Sequence, residues 1–134
     1  MAVKRVSPKE ASELVAQGYA YLDVRSIPEY DGGHPPGAYN VPLMHMGPGG
    51  MAPNGDFAAV VARAFPDKSA KIVVGCKSGG RSLKAAEVMA ASGYSNLVEM
   101  RGGYGGDGQE AGWAQVGLPS ERTTPGRSFE ELKK

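Results

Sequence analysis

The segment "KIVVGCKSGGRSLKAAEVMAASG", Lys71–Gly93, decides the fold because it joins a strand pattern to a helix pattern through a short glycine-rich loop. Its first five residues are a continuous apolar run typical of a strand buried on both faces. From Ser82 onward the apolar residues recur at nearly helical spacing, and Gly93 supplies a stop signal. The segment therefore predicts a strand, a loop and a helix, with Cys76 where the strand ends.

The same alternation continues along the chain. Ser7, Pro8 and Glu10 predict a helix with a capping box, which Gly18 ends. Further strands are predicted at "YAYLDV", "AYNVP" and "NLVEMRGG", and helical segments at "IPEYDGG" and at "DFAAVVARAF", the latter capped by Asn54 or Asp56. The stretch "LMHMGPGGMAPNG" is expected to be a long connecting loop. Alternation of this kind predicts an α/β fold with a mainly parallel sheet covered by helices.

Composition limits the kinds of partner. The 134 residues suit a single domain, and 15 basic residues against 14 acidic ones give no long-range field that would attract nucleic acid or an anionic membrane. No apolar run approaches the roughly 20 residues of a membrane span. With one cysteine and no cluster of cysteine and histidine, we expect no disulfide, no metal and no cofactor.

Localisation and domain organisation follow from the two ends of the chain. The start "MAVKRVSPKE" lacks the apolar core of a secretion signal, so we expect a cytoplasmic protein, or one from an organelle stroma or matrix if a transit peptide has been removed. Apolar density falls after Pro119. We therefore expect a domain over residues 1–119 and a charged tail over residues 120–134, with one weak terminal helix.

Cys76 has the surroundings of a reactive thiol. Gly79 and Gly80 allow successive backbone N–H groups to curl around an anion, and the helix that follows directs its positive end at the loop. Lys77 and Arg81 add positive charge, so the thiolate form is favoured. The plain alternative is a small buried hydrophobic side chain.

The spacing of the loop separates candidate chemistries. Cysteine phosphatases place five residues between the cysteine and the arginine, which makes a ring of amides wide enough for a tetrahedral oxyanion. Here four residues separate Cys76 from Arg81, and the tighter loop suits a single added sulfur atom. Phosphatase or arsenate reductase chemistry is the less favoured alternative.

Three motifs together resemble the rhodanese sulfurtransferases of the single-domain thiosulfate sulfurtransferase type. They are "CKSGGRS", the upstream "YLDVRSIPEYDGGHPPGAYNVP" and the downstream "EMRGGY", and the resemblance runs from about Val6 to Pro119. It implies a five-stranded, mainly parallel sheet with helices on both faces. It also implies that a sulfane sulfur passes from thiosulfate or a similar small donor to cyanide or a thiol.

Residue roles follow by position from this resemblance. Cys76 would be the nucleophile that carries the persulfide, and Arg25 would help bind the anionic donor near the mouth of the site. The loop that holds the persulfide would be Lys77, Ser78, Gly79, Gly80, Arg81 and Ser82. A protein thiol is a further acceptor that the sequence allows, and a relay or docking module for one protein partner is the alternative function.

This chain departs from the family pattern at two places. Some relatives have a lysine where Ser78 stands, so donor preference is open. The segment "GGDGQEAG", Gly105–Gly112, lengthens the usual spacing between Tyr104 and Trp113 by six residues. Its glycines predict a flexible loop, and Asp107 with Glu110 would place negative charge beside the site. A neutral surface loop and a rim that screens acceptors are both open.

Other polar and apolar residues have structural explanations. We expect Asp23 to anchor nearby amides and His34 to be structural, while His45 has no assigned partner. For Arg25, an ion pair with Glu29 is the alternative to donor binding. Apolar side chains expected at the mouth of the site or in the core are Met44, Met46, Met51 and Trp113.

Overall fold

The strand predicted at "KIVVG" lies at the centre of a parallel sheet. The computed structural model describes residues 3–77 and 80–134, and within them β6 (Lys71–Gly75) is flanked by β7 (Asn96–Met100) and β2 (Ala20–Asp23). β1 (Lys4–Val6) and β3 (Tyr39–Asn40) complete a five-stranded sheet of order β1-β7-β6-β2-β3, in which every pairing is parallel. The predicted α/β class and five-stranded sheet are confirmed.

Helices cover both faces of this sheet. α1 (Pro8–Ala16) packs on one face, where Tyr30 of α2 (Ile27–Asp31) and Trp113 belong to the same apolar cluster. α3 (Phe57–Ala64), α4 (Gly80–Ala91) and α5 (Phe129–Leu132) pack on the other face. Side chains of β6 alternate between the two clusters, with Val73 in one and Val74 in the other. That alternation explains why the whole strand is apolar.

The helix signals read from the sequence are confirmed at several ends. Ser7 and Glu10 form the capping box of α1, with Pro8 in the first turn. Gly18 and Gly93, which follow α1 and α4, have φ values of +109° and +104°. These are left-handed conformations that glycine adopts at little cost.

The long connecting loop expected over residues 43–55 is wrong. This segment contains an antiparallel hairpin of β4 (Met44–Gly47) and β5 (Gly50–Pro53), in which Met46 lies opposite Met51. A two-residue turn joins the strands, and Gly50 has a φ of +101°. The prediction failed because glycine and proline dominate the composition of the hairpin and hide the alternation of its short strands.

The sequence patterns predicted no strand at β1, which spans Lys4–Val6. Only three residues long, β1 lies at the edge of the sheet, and its Lys4 and Arg5 side chains are exposed. It pairs with β7 in the register Lys4 with Val98 and Arg5 with Glu99. Its position on the sheet therefore depends on residues more than ninety positions away.

Residues after Ser120 lie along the β3 edge of the sheet. The backbone of Glu121 pairs with that of His34, whose buried ring also lies 2.8 Å from the Thr124 hydroxyl. The predicted terminal helix is confirmed as α5, and its Phe129 is 3% exposed within the main core. The division of the chain at residue 119 stays a prediction.

Candidate active site

The cysteine loop begins where β6 ends. Cys76 follows Gly75 directly, is fully buried and belongs to the same apolar cluster as Val74. α4 begins four residues later at Gly80, so the thiol lies between the carboxyl end of a central strand and the amino end of a helix. Backbone N–H groups at such a junction favour a bound anion. The predicted loop residues Ser78 and Gly79 lie outside the described residues.

The segment after β7 braces this loop through its backbone. The N–H of Tyr104 donates to the carbonyl of Cys76 at 2.7 Å, and the N–H of Gly105 donates to the carbonyl of Lys77 at 2.9 Å. Gly103 has a φ of +63°, and a Cβ at this position would overlap both carbonyls. Only glycine therefore fits here without displacing the loop.

Arg81 is held by a carboxylate of α2. Its Nη1 and Nη2 donate to Oε1 and Oε2 of Glu29 at 2.7 and 3.0 Å, and the Ser26 hydroxyl donates to Oε1 at 2.8 Å. Although burial acts in the opposite direction, these hydrogen bonds lower the pKa of Glu29 to about 2. The hydrogen bonds to Glu29 also raise the pKa of Arg81, with a smaller contribution from Cys76. Both partners are consequently charged at neutral pH, and the start of α4 is fixed to α2.

Arg25 is buried in an ion pair with Asp23. Its Nε and Nη2 donate to Asp23 Oδ1 and Oδ2 at 3.0 and 2.7 Å, and its backbone N–H donates to Oδ1 at 2.9 Å. Nη2 also donates to the Gly33 carbonyl at 2.6 Å, and the guanidinium lies 4.4 Å from the centroid of the Tyr104 ring. Burial alone would lower the pKa of Arg25, but the Asp23 carboxylate outweighs it and raises the pKa.

These contacts test two expectations drawn from the sequence, one for Asp23 and one for the partner of Glu29. Asp23 is confirmed as an anchor for a nearby amide. The ion pair considered between Arg25 and Glu29 is wrong, because Glu29 pairs with Arg81 and Arg25 pairs with Asp23. Arg25 is only 4% exposed, so the structure does not place it at an open mouth.

A second buried carboxylate, on β7, contacts the first turn of α4, and the sequence patterns did not predict it. Glu99 of β7 is fully buried and accepts hydrogen bonds on both of its oxygens. Arg5 Nε donates to Oε1 at 2.5 Å, and the hydroxyl of the buried Ser82 donates to Oε2. No local motif links residues 5, 82 and 99, although an acidic residue inside an apolar strand pattern is a sign that a partner must exist.

The segment Gly105–Gly112 is bound to the domain by several contacts. Asp107 accepts hydrogen bonds from the N–H groups of Gln109 and Glu110, and these lower its pKa. Glu110 pairs with Arg101 at 2.6 Å, and Gly112 packs against the Tyr104 backbone so closely that a Cβ would overlap it. The negative charge expected at Glu110 is therefore compensated by Arg101, whereas the flexibility of the segment stays a prediction.

An apolar groove of about 620 Å³ adjoins the cysteine loop. Gly80 and Arg81 line the groove next to the cysteine loop, and Lys84 and Val88 line it further along α4. The opposite wall comes from the hairpin and from α3, namely Leu43, Met44, Pro53, Asn54, Gly55, Phe57 and Ala58. Of the methionines expected at the mouth of the site, Met44 lines this groove, whereas Met46 and Met51 are 53% and 40% exposed.

Trp113, His45 and Tyr21 have packing roles. Trp113 is buried, as predicted, and its ring meets Tyr21 edge to face. His45 contacts Phe129 at 5.4 Å between ring centroids. Burial raises the pKa of Tyr21 well above its usual range, and Asp23 and Cys76 add to the effect. Tyr21 is therefore a neutral phenol packed beneath the strand ends.

Neither a metal site nor a membrane span is found within residues 3–77 and 80–134. They contain no group of three or more histidine, cysteine, aspartate or glutamate side chains placed to hold a metal ion. In the same part of the chain, no helix has the length and apolar character needed to cross a bilayer. The cysteine loop remains the candidate site.

Comparison with protein families places this loop in a known context. The protein-family model with the description "Rhodanese-like domain" matches residues 7–107, which is well over half of the chain. The chain belongs to the rhodanese-like domain family.

Two curated relatives and one solved structure illustrate the match. The Arabidopsis thaliana protein named "Thiosulfate sulfurtransferase 16, chloroplastic" is 41% identical over 116 residues, covering 87% of this chain and 91% of that protein. "Thiosulfate sulfurtransferase 18", also from Arabidopsis thaliana, is 38% identical over 104 residues, covering 76% of each. The crystal structure of Rv0390 from M. tuberculosis matches with a TM-score of 0.75 at 24% identity, over 92% of this chain and all of that one. That structural match supports the fold.

Proposed function

We propose that this protein is a sulfurtransferase that carries a sulfane sulfur as a persulfide on Cys76. The observation that carries the proposal is the position of Cys76 between β6 and α4, in a loop fixed on both sides. The relatives named thiosulfate sulfurtransferase 16 and 18 support thiosulfate as the donor.

In the first step the Cys76 thiolate attacks the outer sulfur of thiosulfate. A new S–S bond forms to Cys76, the bond between the two thiosulfate sulfurs breaks, and sulfite leaves with the electron pair. N–H groups of the loop and of the first turn of α4 stabilise the persulfide as an oxyanion hole stabilises an oxyanion. A thiolate needs no general base, which fits a buried site whose ionic groups are paired.

In the second step a thiophilic acceptor attacks the outer sulfur of the persulfide. Cyanide takes the outer sulfur and leaves as thiocyanate, whereas a thiolate takes it and leaves as a new persulfide. In both cases the S–S bond to Cys76 breaks, and its electron pair regenerates the Cys76 thiolate. The groove beside Gly80 and Arg81 supports acceptors larger than cyanide, including thiols, because its volume lies within the range of small-molecule sites.

Arg81 and Arg25 have separate roles in this proposal. Arg81 lies in the first turn of α4 and supplies positive charge near Cys76 while Glu29 fixes its orientation. Arg25 is 4% exposed and is paired with Asp23 through Nε and Nη2, and donor binding by Arg25 stays a prediction. Its contact with Tyr104, whose N–H donates to the Cys76 carbonyl, gives it a second, positioning role.

Phosphatase chemistry and a pure docking role are the alternatives. The four-residue spacing between Cys76 and Arg81 favours a single sulfur atom over a tetrahedral phosphoryl group. An intact thiol and arginine favour catalysis over docking alone. For the compartment, we propose the cytoplasm, with an organelle stroma or matrix as the alternative because some relatives are named chloroplastic and one is named mitochondrial.

Intact-mass measurement tests the central step. Thiosulfate should add the mass of one sulfur atom to the wild-type protein, and cyanide should remove it with release of thiocyanate. Cys76→Ser should show neither change, and neither protein should hydrolyse an aryl phosphate. If wild-type protein gains no sulfur, or Cys76→Ser gains it equally, the persulfide mechanism is wrong.

A further inference from the structure

The ion pair between Arg5 and Glu99 lies outside the loop that forms the candidate site, yet it reaches the same helix end. Glu99 receives one hydrogen bond on each carboxylate oxygen, from Arg5 at 2.5 Å and from the Ser82 hydroxyl. Ser82 directly follows Arg81 in the first turn of α4. Glu99 is fully buried, whereas the Arg5 side chain is 45% exposed. An exposed cation at the sheet edge therefore neutralises a carboxylate that water does not reach.

Sheet geometry places this carboxylate close to the thiol. Glu99 is in register with Val74 on the adjacent strand, and Cys76 follows two residues further along. Residues two apart on a strand point to the same face, and Cys76 belongs to the same apolar cluster as Val74. One strand spacing combined with two residue steps along the strand corresponds to about 8 Å between the Cα atoms of Glu99 and Cys76. An uncompensated carboxylate at that distance would oppose a thiolate.

We propose that Arg5 is a positioning residue which, by neutralising Glu99, keeps a buried negative charge from opposing the Cys76 thiolate. This inference rests on the proposed function, in which the thiolate is the nucleophile. It assigns a role at the site to an edge strand that contributes no residue to the loop.

The other charged groups near the thiol are already compensated. Arg81 from α4 is paired with Glu29, and Asp23 at the end of β2 is paired with Arg25. Lys77 is exposed on the loop itself, and Tyr21 from β2 stays neutral because burial raises its pKa. Glu99 is contacted by Arg5 from β1 and by Ser82 from α4, whereas Tyr21 of β2 packs in the cluster on the other face of the sheet. Removal of Arg5 thus changes the balance at Glu99 and leaves the other pairs intact.

Ultraviolet titration of the single cysteine tests the proposal without any sulfur transfer. Thiolate absorbance near 240 nm is followed from pH 4 to 9, with Cys76→Ser protein as the blank. In Arg5→Ala the midpoint of thiolate formation should rise by about one pH unit. Arg5→Ala/Glu99→Gln should return it to the wild-type value, because the opposing charge is gone. Arg5→Lys should keep the wild-type midpoint.

A matched control removes an arginine elsewhere. Arg122 is exposed and makes no ion pair with the described residues, so Arg122→Ala should leave the midpoint unchanged. An unchanged midpoint in Arg5→Ala, or an equal shift in Arg5→Ala and the double variant, would overturn the proposal. If Arg5→Ala does not fold, the Glu99→Gln variant is titrated in its place. A midpoint of thiolate formation above that of the wild-type protein would then contradict the proposed charge effect. A protein inactive with thiosulfate can still be titrated, so the two proposals fail separately.

Discussion

Arg81 and Glu29, which are 52 positions apart in the sequence, join the first turn of α4 to α2 through two hydrogen bonds of 2.7 and 3.0 Å. The pair is partly buried, with side-chain exposures of 19% and 17%. Two parallel N–H donors matched to two carboxylate oxygens fix the guanidinium more firmly than a lysine could. The cation of the cysteine loop is thus oriented by a residue that lies far from it in sequence.

Glu29→Gln should lower the free energy of unfolding by about 1 to 3 kcal/mol at pH 7, because Arg81 loses its charged acceptor. The folded-state pKa of about 2 lies below the ordinary 4.5, so this stabilisation is present above pH 4.5 and is lost as the pH falls toward 2. Urea denaturation between pH 7 and pH 3 should show the two proteins converging. Glu13→Gln, an exposed change on α1, is the control. A constant difference down to pH 3 would contradict the assigned ion pair.

Gly103→Ala should destabilise the protein more than Gly117→Ala. Both glycines have positive φ, +63° and +81°, so each alanine incurs about 1 to 2 kcal/mol of backbone strain. Only Gly103 meets the carbonyls of Cys76 and Lys77, whereas the space around Gly117 is open. The excess loss in Gly103→Ala, measured by urea denaturation, reports the close approach, and sulfur loading from thiosulfate should fall with it. Equal losses in the two variants would show that the loop tolerates the added methyl group.

Local signals explain what could be predicted from the sequence. The apolar run of β6, the capping box at Ser7 and the glycine stops each act within a few residues, so no tertiary knowledge is needed to read them. The junction of strand and helix that contains Cys76 is likewise a local pattern. The number of strands, by contrast, came from the family resemblance, and their order in the sheet was not predicted, since periodicity does not specify pairing.

Long-range pairing explains which features of the site could not be predicted from the sequence. Glu29 has one arginine four positions away, Arg25, and another 52 positions away, Arg81, and the distant one is its partner. The bond from Arg5 to Glu99 spans 94 positions and depends on β1 lying beside β7. Such pairs become visible only when the tertiary arrangement is known. Both reach the first turn of α4, one through Arg81 itself and the other through the hydrogen bond between Glu99 and Ser82.

Phe129→Ala should lower the free energy of unfolding by about 3 to 5 kcal/mol, the usual loss for an emptied aromatic core position. Phe129 is 3% exposed, packs in the main core and contacts the His45 ring. Val116→Ala, at a position 48% exposed, should change stability by less than about 0.5 kcal/mol. Thermal and urea denaturation measure both variants. A loss in Phe129→Ala no larger than that in Val116→Ala would mean that residues 120–134 behave as a tail in solution.

Lys84→Ala should change acceptor preference and leave the loading of Cys76 intact. Lys84 is exposed on the groove next to Arg81, and among the described residues it forms no ion pair, so its charge is available to an anionic acceptor. The KM for 3-mercaptopropionate should rise about two- to fivefold, the effect of one exposed ion pair, while that for the neutral 2-mercaptoethanol stays unchanged. High salt should remove the difference, because exposed charges are screened. Lys9→Ala on α1, at the opposite face of the sheet, is the matched control. If Lys84→Ala and Lys9→Ala give the same KM for both thiols, the groove does not select acceptors by charge, although a normal persulfide mass would leave the mechanism at Cys76 intact.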